Sequence, residues 1–284
     1  MYKNIIFFFA IIGLTNTLFA QDDLLEELEA EAPEQTFESP AFKAFKIGNL
    51  QSTKVADKGD TYMYVSHRFG SLKKGVNTFY GLDEANTKIQ MIYGLFDGFQ
   101  LGLSRESLRK TYAGSVKWRW MAQGETFPVN VVAYSTVNVN TQLSTKQYPK
   151  LRYRDRYSYA TQLLISRRIT NGISLQLAPS YVRQNLVLES FQKHDQMVLG
   201  VGGRFKMSKR TSINIDYAYN FSRHKNSIYK DPLTIGLDIE TGGHIFQLLF
   251  SNAQSTNEPG FLSNAEGDWS KREIFFGFNI VRVF

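Results

Sequence analysis

From residue 60 to the C-terminus, apolar and polar positions alternate with a period of two. Over residues 211–222, Ile213, Ile215, Tyr217, Tyr219 and Phe221 share one parity, and Ser212, Asn214, Asp216, Ala218, Asn220 and Ser222 share the other. Successive side chains of a strand point to opposite faces, so such a segment has one apolar wall and one polar wall. Ile89, Met91, Tyr93 and Leu95 repeat the pattern against Lys88, Gln90 and Gly94, and Ile173, Leu175, Leu177 and Tyr181 repeat it against Ser174, Gln176 and Ser180.

Twelve segments emerge: 61–70, 85–95, 98–106, 110–121, 127–138, 154–168, 172–183, 195–207, 211–222, 233–240, 243–252 and 272–284. Short connections (near 95–98, 168–172, 207–211 and 240–243) largely take turns with longer ones (near 70–85, 139–155, 184–194, 222–232 and 252–271). An even strand count with tight turns at one end and long loops at the other predicts an all-β fold. The expected architecture is a transmembrane, antiparallel, up-and-down β-barrel of about 12 strands. A soluble barrel would turn its apolar face inward. The membrane is favoured by Lys, Arg, Asp and Gln at mid-strand on the polar faces, and by aromatics near strand ends. Trp118 and Trp120 fall toward one end, and Tyr157, Tyr159, Tyr217 and Tyr219 toward the other, as interfacial girdles do.

The N-terminal residues read differently. Lys3, an apolar run over 5–14 and a close at Thr17-Leu18-Phe19-Ala20 predict a signal peptide over 1–20, cleaved after Ala20. No later segment reaches the ~18 continuous apolar residues of a spanning helix. Residues 21–43 form an acidic tail, with Asp22, Asp23, Glu26, Glu27, Glu29, Glu31, Glu34 and Glu38 and no basic residue before Lys43. The net charge of +7 therefore hides a basic body, since residues 43–284 carry 32 basic against 18 acidic side chains. The expected organisation is a signal peptide (1–20), an acidic periplasmic tail (21–43) and an outer-membrane barrel (44–284), with residues 44–53 as an extra strand or a periplasmic lead-in. The final strand ends on Phe284. Phe276, Phe278 and Ile280 share one face of it, a pattern that resembles the C-terminal signal read by the barrel-assembly machinery; Arg282 departs from that pattern.

Chemistry is sparse. There is no Cys, which excludes disulfides, zinc–thiolate sites and a lipid anchor on Cys. His67, His194, His224 and His244 show no metal-ligand spacing. Ser66 and His67 are strand neighbours on opposite faces, so they cannot form a nucleophile–base pair. Gly200, Gly202 and Gly203 lie inside an alternating strand with no following helix, and read as small residues that leave lumen space. No catalytic, cofactor or metal site is expected, and the chain reads as a non-enzyme.

Parity turns Lys88, Lys117, Arg119, Arg204 and Lys206 inward, against Asp216, Asp238 and Glu240, giving a modestly positive lumen. Two readings stay open: a passive or gated pore for small, anionic solutes, or a closed structural or assembly barrel whose interior charges merely fill it. In the second, the acidic tail binds a periplasmic partner; the tail could equally plug the lumen. The basic, aromatic loops at 146–156 and 223–230 read first as solvated loops; if they have a partner, their charge suggests outer-membrane glycolipid rather than nucleic acid.

Several short motifs resemble a family of outer-membrane barrels from Bacteroidota whose shared membrane-bound β-barrel domain has no known function. They are Asp22-Asp23-Leu24-Leu25, Ser66-His67-Arg68-Phe69-Gly70, Tyr80-Gly81-Leu82-Asp83, and Lys110-Thr111-Tyr112 leading to Lys117-Trp118-Arg119. The resemblance implies a membrane-bound barrel and brings no activity or site residue with it.

Overall fold

In the computed structural model, residues 41–187, 189–241 and 244–284 are described. The signal peptide and most of the acidic tail lie outside the described residues. Twelve strands form the wall: β1 (Thr61–Ser71), β2 (Ala85–Phe96), β3 (Phe99–Glu106), β4 (Thr111–Met121), β5 (Asn130–Asn140), β6 (Tyr157–Arg168), β7 (Ile173–Gln184), β8 (Asp195–Lys206), β9 (Thr211–Asn220), β10 (Leu233–Thr241), β11 (His244–Ser251) and β12 (Phe275–Val283). Each pairs antiparallel with its sequence neighbours. β1 closes the barrel on β12 in a register that sets Tyr62 opposite Val283 and His67 opposite Phe278. Closure removes the free sheet edges that lipid cannot satisfy.

The period-two pattern is the cause of this wall. Apolar residues face outward and stay exposed, as with Ile89, Leu103, Leu177 and Met197. Their polar neighbours face inward and are buried, as with Lys88, Gln90, Gln176 and Asn214. The tight turn at Asp97 and Gly98 needs a left-handed residue, and Gly98 supplies φ of +79° without a Cβ clash. Connections at this end are mostly short, whereas the opposite rim carries long segments at 141–156, 221–232 and 252–274. On the outer face of the seam, Phe69 stacks on Phe276 at 5.7 Å and His67 on Phe278 at 5.1 Å.

Residues 44–53 are neither an extra wall strand nor a lead-in outside the barrel. Residues 41–57 enter the lumen from the short-turn end, fold back and leave by the same end. The Ile47 N–H donates to Leu50 O (2.9 Å) and the Ser52 N–H to Phe45 O (2.9 Å), with Lys46 bridging Gln51, so the segment is a hairpin with its apex at Gly48 and Asn49. It can take a strand-like alternation because every side of it is covered: Phe45, Lys46, Ile47 and Leu50 are all buried. From the long-loop rim, residues 252–265 descend to meet it, ending in a short helix, α1 (Glu258–Ser263), whose residues are all buried. Asn257 caps α1 by accepting from Gly260 N–H. The chain leaves the lumen past Gly94 of β2, where Gly59 N–H donates to Gly94 O (2.8 Å) and Gly94 N–H to Asp60 O (3.0 Å). A Cβ on Gly94 would stand 2.0 Å from Asp57 O, so this passage requires glycine.

Candidate functional site in the filled lumen

The wall holds the hairpin chiefly by its backbone, through inward-facing amides and cations. Lys117 on β4 is fully buried, and its Nζ donates to Ser52 O (3.0 Å), Lys54 O (3.1 Å) and Phe45 O (3.5 Å). Gln247 Nε2 donates to Lys46 O and Ile47 O, both at 3.1 Å, and Gln176 Nε2 to Gln51 O at 2.7 Å. Gln100 Oε1 accepts from Ala56 N–H at 2.7 Å, and Thr53 and Ser166 share a hydroxyl contact of 2.6 Å.

The apex is read residue by residue. Asn49 donates from its backbone N–H to Asp216 (2.9 Å), and from Nδ2 to Thr234 (3.0 Å) and Ser251 (2.9 Å). Its Oδ1 accepts from Arg68 Nη2 (2.8 Å). Arg68, fully buried, also reaches Asn279 (3.0 Å), which donates to Gly48 O (3.1 Å). Gly200 and Gly202 leave the space for the apex: Cβ atoms there would lie 2.9 Å from Leu50 Cδ1 and 2.5 Å from Ile47 Cδ1.

Hairpin and α1 meet through Glu258. It accepts from Gln51 Nε2 at 2.7 Å and pairs with Lys46 Nζ at 3.7 Å, and Lys46 also donates to Thr256 O at 2.9 Å. Glu106 at the end of β3 clamps the entry to α1. It accepts from Thr256 N–H (2.7 Å), Asn86 Nδ2 (2.6 Å) and Asn257 Nδ2 (2.5 Å). Neither Lys46 nor Glu258 lies on a spanning strand. Burial lowers the Lys46 ammonium to about 8, against the pull of Glu258. Burial raises the Glu258 carboxyl, but Lys88, Lys46 and the Gln51 hydrogen bond outweigh it and hold the group at about 2.

Among the residues that parity turns inward, Lys88, Lys117, Arg204, Asp216 and Asp238 are buried within the barrel. Asp216 receives the hairpin apex, Asp238 accepts from Gln247 (2.9 Å), and Arg204 pairs with Glu240 (2.8 Å). Arg119 and Lys206 lie on the same parity but sit at the short-turn rim, exposed. Of the C-terminal residues, Phe276, Phe278 and Ile280 line the outer face of β12, and Phe284 is exposed beyond it. Arg68, Glu106, Lys46, Asn49 and Glu258 complete the site. Arg68 and Glu106 follow the inward parity of Ser66 and Ser104, so alternation could have found them. Nothing in the spacing marks a lumen role for Lys46, Asn49 or Glu258. Among the described residues, no cluster of three His, Asp or Glu could hold a metal ion.

Residues 42–284 match the model of a family described as membrane bound beta barrel domain (DUF5777). No curated protein is significantly similar to the chain. Solved structures align with the chain at low identity. The KdgM porin aligns with a TM-score of 0.49 at 9% identity, over 79% of this chain and 99% of that one. The NanC porin aligns at 0.48 and 8%, over 78% and 98%. The outer membrane phospholipase A from Escherichia coli aligns at 0.43 and 9%, over 89% and 94%.

Proposed function

Because the chain belongs to the family of the membrane bound beta barrel domain, we propose that it is an outer-membrane conduit for small solutes, closed at rest by its own hairpin. The observation that carries this reading is the chemistry of the wall–hairpin interface. A barrel that served only as a scaffold could fill its interior with apolar side chains at no electrostatic cost. Here the hairpin is held by separate hydrogen bonds to its backbone, each worth about 0.5–1.5 kcal/mol net between neutral groups and about 1.5–3 kcal/mol where Lys117 or Asp216 takes part, together with the packing of Phe45, Ile47 and Leu50. Water can replace such bonds one at a time, so the hairpin can leave while the wall ladder stays intact. A lumen of this strand number is intermediate between barrels filled by side chains and those with wide channels. With the hairpin out, the buried wall charges are Arg68, Lys88, Lys117 and Arg204 against Glu106, Asp216 and Asp238. With Glu258 of α1 added the two signs balance, so the anion preference rests on the basic body as a whole, with 32 basic against 18 acidic side chains over residues 43–284.

A second reading rests on chain continuity. The hairpin follows directly on the acidic tail, so a closed barrel could present that tail to a periplasmic partner. Single-channel recording of the refolded protein in planar bilayers, in a salt gradient, separates the two. Discrete openings with a reversal potential on the anion side are expected of the conduit. A silent protein whose barrel is confirmed by heat-modifiable mobility would leave the scaffold.

A further inference from the structure

A second site lies on the outside of the wall at the long-loop rim. The outward residues of β7 run Ile173, Leu175, Leu177, Pro179 and Tyr181 before the first charge, Arg183. That run covers about 26 Å along the strand, or roughly 20 Å of height at the usual tilt, so Arg183 stands at headgroup depth. Register places Tyr159 of β6 and Asp195 of β8 on either side of it. Above them the 152–156 turn brings Arg152 and Arg154 over the same spot, tied down by Asn185 Nδ2 donating to Arg154 O (2.7 Å). These residues, with His194, line an outward concavity of about 650 Å³. Exposed Tyr153 packs edge-on against Tyr157 at 5.6 Å, and Tyr157 stacks on Tyr159 at 6.4 Å, forming an aromatic shelf beside it.

Both carboxylates in the concavity are already engaged. Asp195 takes Arg183 Nη1 on both oxygens (2.6 and 2.8 Å) and the Tyr181 hydroxyl, and Asp155 caps its own turn by accepting from Arg152 N–H (2.8 Å). Arg183 is paired with Asp195, and Arg152 Nε lies 3.5 Å from Asp155, so three guanidiniums against two carboxylates leave one positive charge in excess, with Arg154 beyond those two pairs. Guanidiniums pair bidentately with phosphate oxygens, and aromatic rings settle at the same interfacial depth. We propose that this concavity binds the phosphate of an acylated, phosphorylated glycolipid headgroup in the leaflet facing the long loops. The proposal does not depend on the conduit reading.

The test is native mass spectrometry of the full-length, delipidated protein, titrated with a bis-phosphorylated acylated glucosamine disaccharide, its dephosphorylated counterpart and inorganic phosphate. Retention of the phosphorylated glycolipid alone is expected. The double variant Arg152→Gln/Arg154→Gln, confined to an exposed turn, should bind it about tenfold more weakly. Lys271→Gln/Arg272→Gln, on another loop of the same rim, should bind as the parent does. Equal binding by the Arg152/Arg154 variant would overturn the site. So would equal retention of the dephosphorylated lipid, or displacement by inorganic phosphate at matched concentration, which would reduce it to a free-phosphate site.

Discussion

Lys117→Met is the most telling perturbation of the closed lumen. Lys117 contributes nothing to the outer surface, and every hydrogen bond its ammonium makes goes to the hairpin. Methionine keeps much of its length and its contacts with Phe45 and Tyr134, the rings that flank Nζ at 5.8 Å. It removes a buried charge, which is a gain, and leaves the carbonyls of Ser52 and Lys54 without that donor, which is a loss. Each orphaned buried carbonyl costs about 1–3 kcal/mol. Water reaching Lys54, which is half-buried, softens one of the two. The net expectation is roughly 2–3 kcal/mol against the docked hairpin, or on the order of a hundredfold in its released population. Hydrogen–deuterium exchange read by mass spectrometry should show faster exchange in peptides covering 44–56, with β4 and β5 unchanged. Unchanged protection over 44–56 would refute the latch. Equal deprotection of β4 would mean that the substitution damages the wall instead.

Other variants probe the remaining contacts. Asn49→Ala removes three side-chain hydrogen bonds at the apex and should raise exchange at 47–50 by a similar factor, about 2–3 kcal/mol. Gly200→Leu/Gly202→Leu fills the space of Ile47 and Leu50 and should expel the hairpin from a folded barrel, making residues 44–56 cleavable by added protease. Hairpin docking should also depend on pH. Glu258 is held low by Lys88 of the wall and then by Lys46 and Gln51 of the hairpin, so the hairpin's share of that stabilisation is lost from docking as pH falls toward about 2. Lys46 acts in the same sense over a higher window: its lowered value makes docking tighten as pH rises from about 8 toward 10.5. Glu258→Gln should flatten the acid limb of exchange protection over 44–56, and an unchanged limb would exclude Glu258 as its source.

The wall was legible residue by residue because a membrane barrel writes its two faces into alternate positions. All twelve expected segments are strands, with differences confined to ends such as 127–129 and 154–156, where Pro128 and the 153–156 turn break the ladder. Parity identifies a face but not a depth. That is why Arg119 and Lys206 share the parity of Lys117 and Arg204 and yet sit at the rim. The hairpin was illegible for a related reason. Phe45 and Ile47 flanking Lys46 look like a strand with one wet face, and only the surrounding barrel buries the lysine as well. The acidic tail expected as a plug lies almost wholly outside the described residues; what the lumen shows is the segment after it. The part of the chain that fills the lumen is basic, and its balancing carboxylate, Glu258, comes from a loop on the opposite rim. A six-residue helix containing Pro259 and Gly260 gives no periodic signal by which to find it.

In the conduit reading, solutes pass only when the hairpin moves. The chain has no native Cys, and the hydroxyls of Thr53 and Ser166 lie 2.6 Å apart. Thr53→Cys/Ser166→Cys therefore offers a disulfide between hairpin and wall. Single-channel current from this protein, measured oxidised and then reduced in the same bilayer, tests the claim most directly. A silent oxidised barrel that begins to open after reductant is added is the expected result. Equal conductance before and after reduction would contradict the conduit reading.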